Sequence, residues 1–142
     1  MNYKIESKNY QINVADKEAT VLDCPKIVFE TLKEDFNATQ EEMYLITLNT
    51  KNKIIEKTLI SKGAHNTLMI TPMEIFRPLM LSNGNNFILA HNHPSGDTQP
   101  SEEDITFTRK IKKASEIMGC NLLDHLIYSD TEYYSFKKED LL

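Results

Sequence analysis

Two histidines, His91 and His93, stand two residues apart, and Asp104 follows with Ser101 three residues before it. In an extended chain alternate residues point to one face, so both imidazoles can reach a single metal ion. Pro94 reinforces this, because the residue before a proline is pushed away from helical angles and His93 stays extended. Catalytic zinc sites commonly take three protein ligands and leave the fourth position to water. Asp104 can be the third ligand. One turn into a helix, its ionised form is favoured by the helix N-terminus, and the ionised form is the one a metal requires. A zinc ion so held would polarise a carbonyl and lower the pKa of a water to about 7. Ser101 could donate a hydrogen bond to the oxyanion of a tetrahedral intermediate. The chemistry still needs a general base, for which Glu41 and Glu42 are the upstream candidates.

Each fragment alone has a plainer reading. Ser101-x-x-Asp104 is a common helix start, with serine as N-cap and an acid at N3. A histidine pair can lie in a polar loop, Pro94-Ser95-Gly96 is a turn, and two glutamates at a strand start can be solvated charge. The combination is much sharper: HxH, seven residues, then SxxD, at a strand end and a helix start. The capping and metal roles are compatible.

The elements that must position these residues are readable from periodicity. A helix is expected from Pro25, with Val28, Leu32 and Phe36 at helical spacing and Asn37 closing it. Met43–Leu48 and Ile54–Ile60 read as a hairpin about Asn49-Thr50-Lys51-Asn52. A second helix opens at Thr71-Pro72-Met73-Glu74, where Thr71 and Glu74 suit a capping box and Pro78 threatens a kink. Asn86–His91 is a short apolar strand leading straight into the histidines. A third helix runs from about Ser101 to Met118, with Phe107, Ile111, Ala114 and Met118 as its buried stripe. Asn121–Tyr128 and Tyr133–Phe136 are the last strands. The expected fold class is α/β, a mixed α+β sheet flanked by helices.

Composition narrows the function. The chain has 142 residues and a net charge of −5, one domain's worth, with a balance that argues against direct nucleic-acid binding through phosphates. Arg109, Lys110, Lys112 and Lys113 read as the solvated face of a helix. Cys24 and Cys120 are far apart and sit in no CxxC pattern, so both read as buried thiols outside any disulfide framework. There is no signal-peptide core and no stretch of membrane-span length, so a cytoplasmic location and no membrane partner are expected.

At these residues the sequence resembles the JAMM (MPN+) metallopeptidase-type family, and more closely the corresponding domain of the bacterial RadC proteins. The pattern is an upstream Glu followed by HxH-x7-SxxD; the RadC likeness extends through ILAHNHPSGDTQPSEED, LLDHLIYSD and YYSF. It covers roughly residues 25–142, with residues 1–24 as an extension packed on the domain. The resemblance implies a cytidine-deaminase-like JAB/MPN fold. It implies that His91, His93 and Asp104 bind zinc, that Ser101 stabilises an oxyanion, and that Glu41 rather than Glu42 handles the proton of the attacking water. Strand alternation does not choose between these glutamates, since each shares its parity with apolar residues. Asp124-His125 resembles an element of RadC proteins and reads as support that orients a loop near the site. Pro78 departs from a helix that runs smoothly in the family. RadC proteins often carry a helix-hairpin-helix-like region, for which residues 1–24 leave no room. The implied function is zinc-dependent hydrolysis of a protein or peptide amide or isopeptide bond. The alternative is a non-enzymatic, DNA-repair-associated or protein-binding module with a structural zinc.

Overall fold

The computed structural model describes residues 25–63 and 66–142. The expected extension over residues 1–24, and Cys24 with it, lie outside the described residues. The elements run α1 (Pro25–Leu32), β1 (Glu42–Leu48), β2 (Ile54–Lys62), α2 (Pro72–Leu81), β3 (Asn86–Asn92), α3 (Glu102–Met118), β4 (Asn121–Tyr128) and β5 (Tyr133–Ser135), with short 3-10 turns at Lys33–Asp35 and Thr67–Met69. Among the described residues five strands form one sheet in the order β2-β1-β3-β4-β5. Of these strands β3 and β4 pair in parallel, and the other described neighbours are antiparallel. A parallel pair needs a long crossover, and α3 supplies it. The expected mixed sheet flanked by helices is what the chain forms.

Both faces of the sheet are covered. Met43, Leu45, Phe87 and Leu89 pack with Ile75, Phe76 and Leu79 of α2 and with Phe107 and Ile111 of α3. The alternate residues Ile46, Leu48, Ile88 and Ala90 pack with Val28, Phe29 and Leu32 of α1. The parity of a residue on β1 or β3 therefore states which helices it faces. His91 shares parity with Phe87 and Leu89, so it faces α3.

Helix ends follow local chemistry. Glu74 accepts hydrogen bonds from the Thr71 N–H at 2.7 Å and its hydroxyl at 2.9 Å, securing the start of α2. Pro78 lies inside α2 without ending it. The expected first helix is shorter than its periodicity suggests. It tightens at Lys33–Asp35, and Phe36 leaves the helical region at ψ 125°. Asn37 Oδ1 competes for the chain by accepting from the N–H groups of Thr39 and Gln40 at 2.9 and 3.1 Å. Gly119 ends α3 in the left-handed region at φ 73°. Cys120 is half-buried rather than buried. No helix among the described residues is long and apolar enough to cross a membrane.

Candidate metal centre

The carboxyl end of β3 and the first turn of α3 meet at one point. His91 lies near the end of β3, His93 one residue past it, and Asp104 at N3 of α3. One ligand-type atom from each of the three lies within 4.8 Å of the others. His91 Nε2 is 3.1 Å from His93 Nε2 and 3.3 Å from Asp104 Oδ1, and His93 Nε2 is 3.4 Å from Asp104 Oδ2. Ligands on a tetrahedron with metal bonds of about 2.0–2.1 Å stand about 3.3 Å apart, so the spacing suits a small divalent ion.

The protons give an independent reason to place a cation there. Thr108 Oγ1 donates to the Asp104 backbone carbonyl at 2.7 Å, so it must accept from His125 Nδ1, 2.6 Å away. Burial without a carboxylate in hydrogen-bond contact holds the His125 pKa well below the usual histidine range, and the ring is neutral. Its Nε2 is then an acceptor, and His91 Nδ1, 2.8 Å away, is the donor. With its Nδ1 hydrogen so committed, His91 presents the Nε2 lone pair to the site. His93 Nδ1 lies 2.6 Å from the Asp97 carbonyl, which can only accept, so the His93 lone pair also falls on Nε2. Two imidazole lone pairs and a carboxylate thus point at one another. Such an arrangement requires a positive species, whether a proton or a metal. In the metal-free protein a proton meets part of the need. Burial opposes charge on His93, yet Asp104, the Asp97 carbonyl and the charge of Glu41 together raise its pKa. Burial would push Asp104 up as well, but the His91 and His93 rings set against it and the hydrogen bond from the Ser101 N–H hold it far below the usual carboxylate range.

Asp104 is both a cap and a member of the cluster. Its Oδ2 accepts from the Ser101 N–H at 2.9 Å, while its own N–H donates to Ser101 Oγ at 3.1 Å. Thr67 Oγ1 donates to Oδ1 at 3.2 Å. Because Ser101 Oγ acts here as acceptor, its hydroxyl hydrogen stays available, and among the described residues no acceptor takes it.

The structure separates the two glutamates. Glu42 shares parity with Ile46 and Leu48 and turns towards α1. Its Oε2 accepts from the Tyr44 hydroxyl at 2.8 Å, and its Oε1 accepts from Asn37 Nδ2 at 3.1 Å and pairs with Lys62 at 3.2 Å. Burial opposes its charge, but these contacts keep its pKa lowered. Glu41 stands one residue before β1, beyond the last rung of the β1–β3 ladder. It is half-buried, is not part of the three-residue cluster, and acts on His93 through its charge.

Three residues around the site carry roles that spacing did not announce. Thr108 stands one turn after Asp104 on the same helix, an i,i+4 relation that offered a signal. His125 belongs to the Asp124-His125 pair expected to orient a loop. Asp124 does that, accepting from the Ser135 hydroxyl at 2.6 Å and the Lys137 N–H at 3.0 Å. His125 instead holds His91, with its ring stacked on Phe136 at 4.9 Å. A bulge explains the split. Between Phe87↔Leu122 and Ile88↔Asp124 the register skips Leu123. Leu122 therefore faces α2 and α3 while Leu126 faces α1, and His125 is turned to the α3 side. The third residue, Asn92, is fully buried and has the opposite parity to the two histidines that flank it.

Comparison with known proteins accords with this site. The family model described as RadC-like JAB domain matches residues 22–141. A UPF0758 protein of Clostridium perfringens is 42% identical over 120 residues, 84% of this chain and 52% of that one. One from Enterococcus faecalis is 40% identical over 124 residues, 87% of this chain and 53% of that one. One from Aquifex aeolicus is 38% identical over 118 residues, 83% and 51% respectively. The chain spans about half the length of these relatives, whose names state no activity. A matched segment that takes in the histidine pair, the Ser-x-x-Asp turn and the Asp-His element leads to one conclusion: the chain belongs to the RadC-like JAB domain family.

Proposed function

We propose that the domain is a zinc-dependent hydrolase of the JAMM type, cleaving an amide or isopeptide bond in a protein or peptide. The observation that carries this reading is the convergence of the two Nε2 lone pairs and the Asp104 carboxylate at 3.1–3.4 Å. Zinc is favoured among divalent ions by two imidazoles and one carboxylate at tetrahedral spacing. When bound, it would polarise a carbonyl and acidify a water.

The remaining roles belong to the chain's own groups. Glu41 takes the proton of the attacking water and returns it to the leaving nitrogen, a transfer that suits a carboxylate beside the cluster but outside it. Ser101 turns its unused hydroxyl hydrogen towards the oxyanion. His125 and Thr108 keep His91 in the tautomer that leaves Nε2 free. A net charge of −5 weighs against a role that rests on contacts with nucleic-acid phosphates.

The test is elemental analysis of protein purified without a metal-affinity tag, beside His91→Ala and Asp104→Ala. About one zinc per chain, absent from both variants, is expected. Release of amine from a panel of fluorogenic peptides and isopeptides, abolished in Glu41→Gln while zinc is retained, would extend the reading to catalysis. Failure of the wild type to take up zinc would overturn it.

A further inference from the structure

The ladder between β1 and β3 runs regularly from Leu48↔Asn86 to Met43↔His91 and stops there. The next opposed residues are Glu42 and Asn92. In place of another backbone pair, the Asn92 side chain takes over. Its Oδ1 accepts from the Glu42 N–H at 2.6 Å, and its Nδ2 donates to the carbonyls of Asn37 at 2.6 Å and Gln40 at 3.0 Å. A carboxamide inserted between two chains holds them a side chain apart instead of a ladder's width apart. Glu41 lies inside the clamped segment, between the Gln40 carbonyl and the Glu42 N–H. Its own carbonyl accepts from the Gly63 N–H at 2.7 Å.

We propose that Asn92 is a positioning residue for Glu41: its carboxamide sets the gap between the Glu41 segment and the strand that carries His91 and His93. This rests on the reading of Glu41 as the base. The gap matters because a base must stand off the metal ligands by the room of one water and still share its proton. Asn92 suits the task because both ends of its amide are used and the site is fully buried, which leaves it one orientation. The tripeptide His91-Asn92-His93 thus serves two purposes through strand parity. The histidines turn to α3 to form the cluster, and the asparagine turns away to fix where the base stands.

The experiment loads the full chain with cobalt(II), whose absorption spectrum reports the ligand set and nearby ionisations. Glu41→Gln removes a negative charge that opposes ionisation beside the metal, so the pH midpoint of the spectrum is expected to fall. Asn92→Ser is expected to keep one cobalt per chain and to shift the midpoint in the same direction by at least about half as much. Exchange of the Glu42 amide in the metal-free protein is expected to rise about tenfold, the worth of one hydrogen bond. A merely structural asparagine would lower the Tm and leave the midpoint unmoved, and that result overturns the proposal. A shift in Glu41→Gln that Asn92→Ser does not share overturns the proposal alone. No shift in Glu41→Gln overturns the assignment of the base and the proposal with it. If Asn92→Ser does not fold, Asn92→Gln, which keeps the amide one methylene further out, is measured in its place with the same outcomes deciding.

Discussion

The parallel pair β3 and β4 has polar clusters at both ends, and they are built on opposite plans. At the amino end, Asn121 Nδ2 donates to Asn86 Oδ1 at 2.9 Å and Asn86 Nδ2 donates to Asn52 Oδ1 at 2.7 Å. Each of these amide contacts puts a donor against an acceptor, and every group is neutral. At the carboxyl end the chain Thr108, His125, His91 begins in the same way, but it ends on a lone pair that faces two more acceptors. The first network is closed and holds strands together. The second is left open at one point, and an open point of that polarity can hold a cation. Hydrogen bonding alone does not mark a functional site; an imbalance of donors and acceptors does.

That contrast can be broken most strongly at its open end. His125→Phe keeps the ring stack on Phe136 but removes the acceptor that fixes His91. Metal affinity is expected to fall about 10–100-fold, as for other groups that orient a metal-binding histidine, measured by competition with a chromophoric chelator. Thr108→Val acts one step further out and should cost less, about tenfold at most, in the same assay. The closed end should behave differently. Asn86→Ala is expected to lower stability by about 0.5–1.5 kcal/mol in urea unfolding, with metal uptake unchanged; a loss of metal there would erase the distinction between the two ends.

The smallest effect is one of pH and should reverse with metal. The raised His93 pKa makes its stabilising contribution complete below its unfolded value of about 6.5 and lost as pH rises through the folded value. The Tm of metal-free protein should therefore drift down as the pH is raised above neutrality, and this drift should vanish in His93→Ala. Metal-loaded protein should drift the other way over the same range, because protons then compete with the metal for the histidines. Differential scanning calorimetry at a series of pH values, with and without chelator, measures both.

The strand pair of histidines, the cap and the order of elements were legible because each rests on local rules: parity along a strand, proline before a turn, serine before a helix. The different surroundings of Glu41 and Glu42 were not, since β1 is buried on both faces and the apolar-polar alternation that reveals orientation is lost. Only the arrangement of helices over the sheet shows which parity faces α3. His125 was hidden for another reason. Counting by twos along β4 places Leu122, Asp124 and Leu126 on one face, and a single bulged residue, Leu123, undoes the count. The true end of the first helix escaped periodicity because Phe36 is still used against Tyr128, with ring centroids 6.4 Å apart, though its backbone is no longer helical. Side chains that reach back to the main chain, such as those of Asn37 and Asn92, override periodic patterns.

The cap at the start of α3 has a consequence for how an ion would enter. Asp104 is already held by the Ser101 N–H and the Thr67 hydroxyl, His91 by His125, and His93 by the Asp97 carbonyl. Each ligand loses its rotational freedom when the chain folds, so little conformational entropy remains to be lost on binding. Metal capture would then be governed by stripping water from the ion and protons from the imidazoles. The apo domain would stay folded, and its affinity would change with pH far more steeply than with temperature.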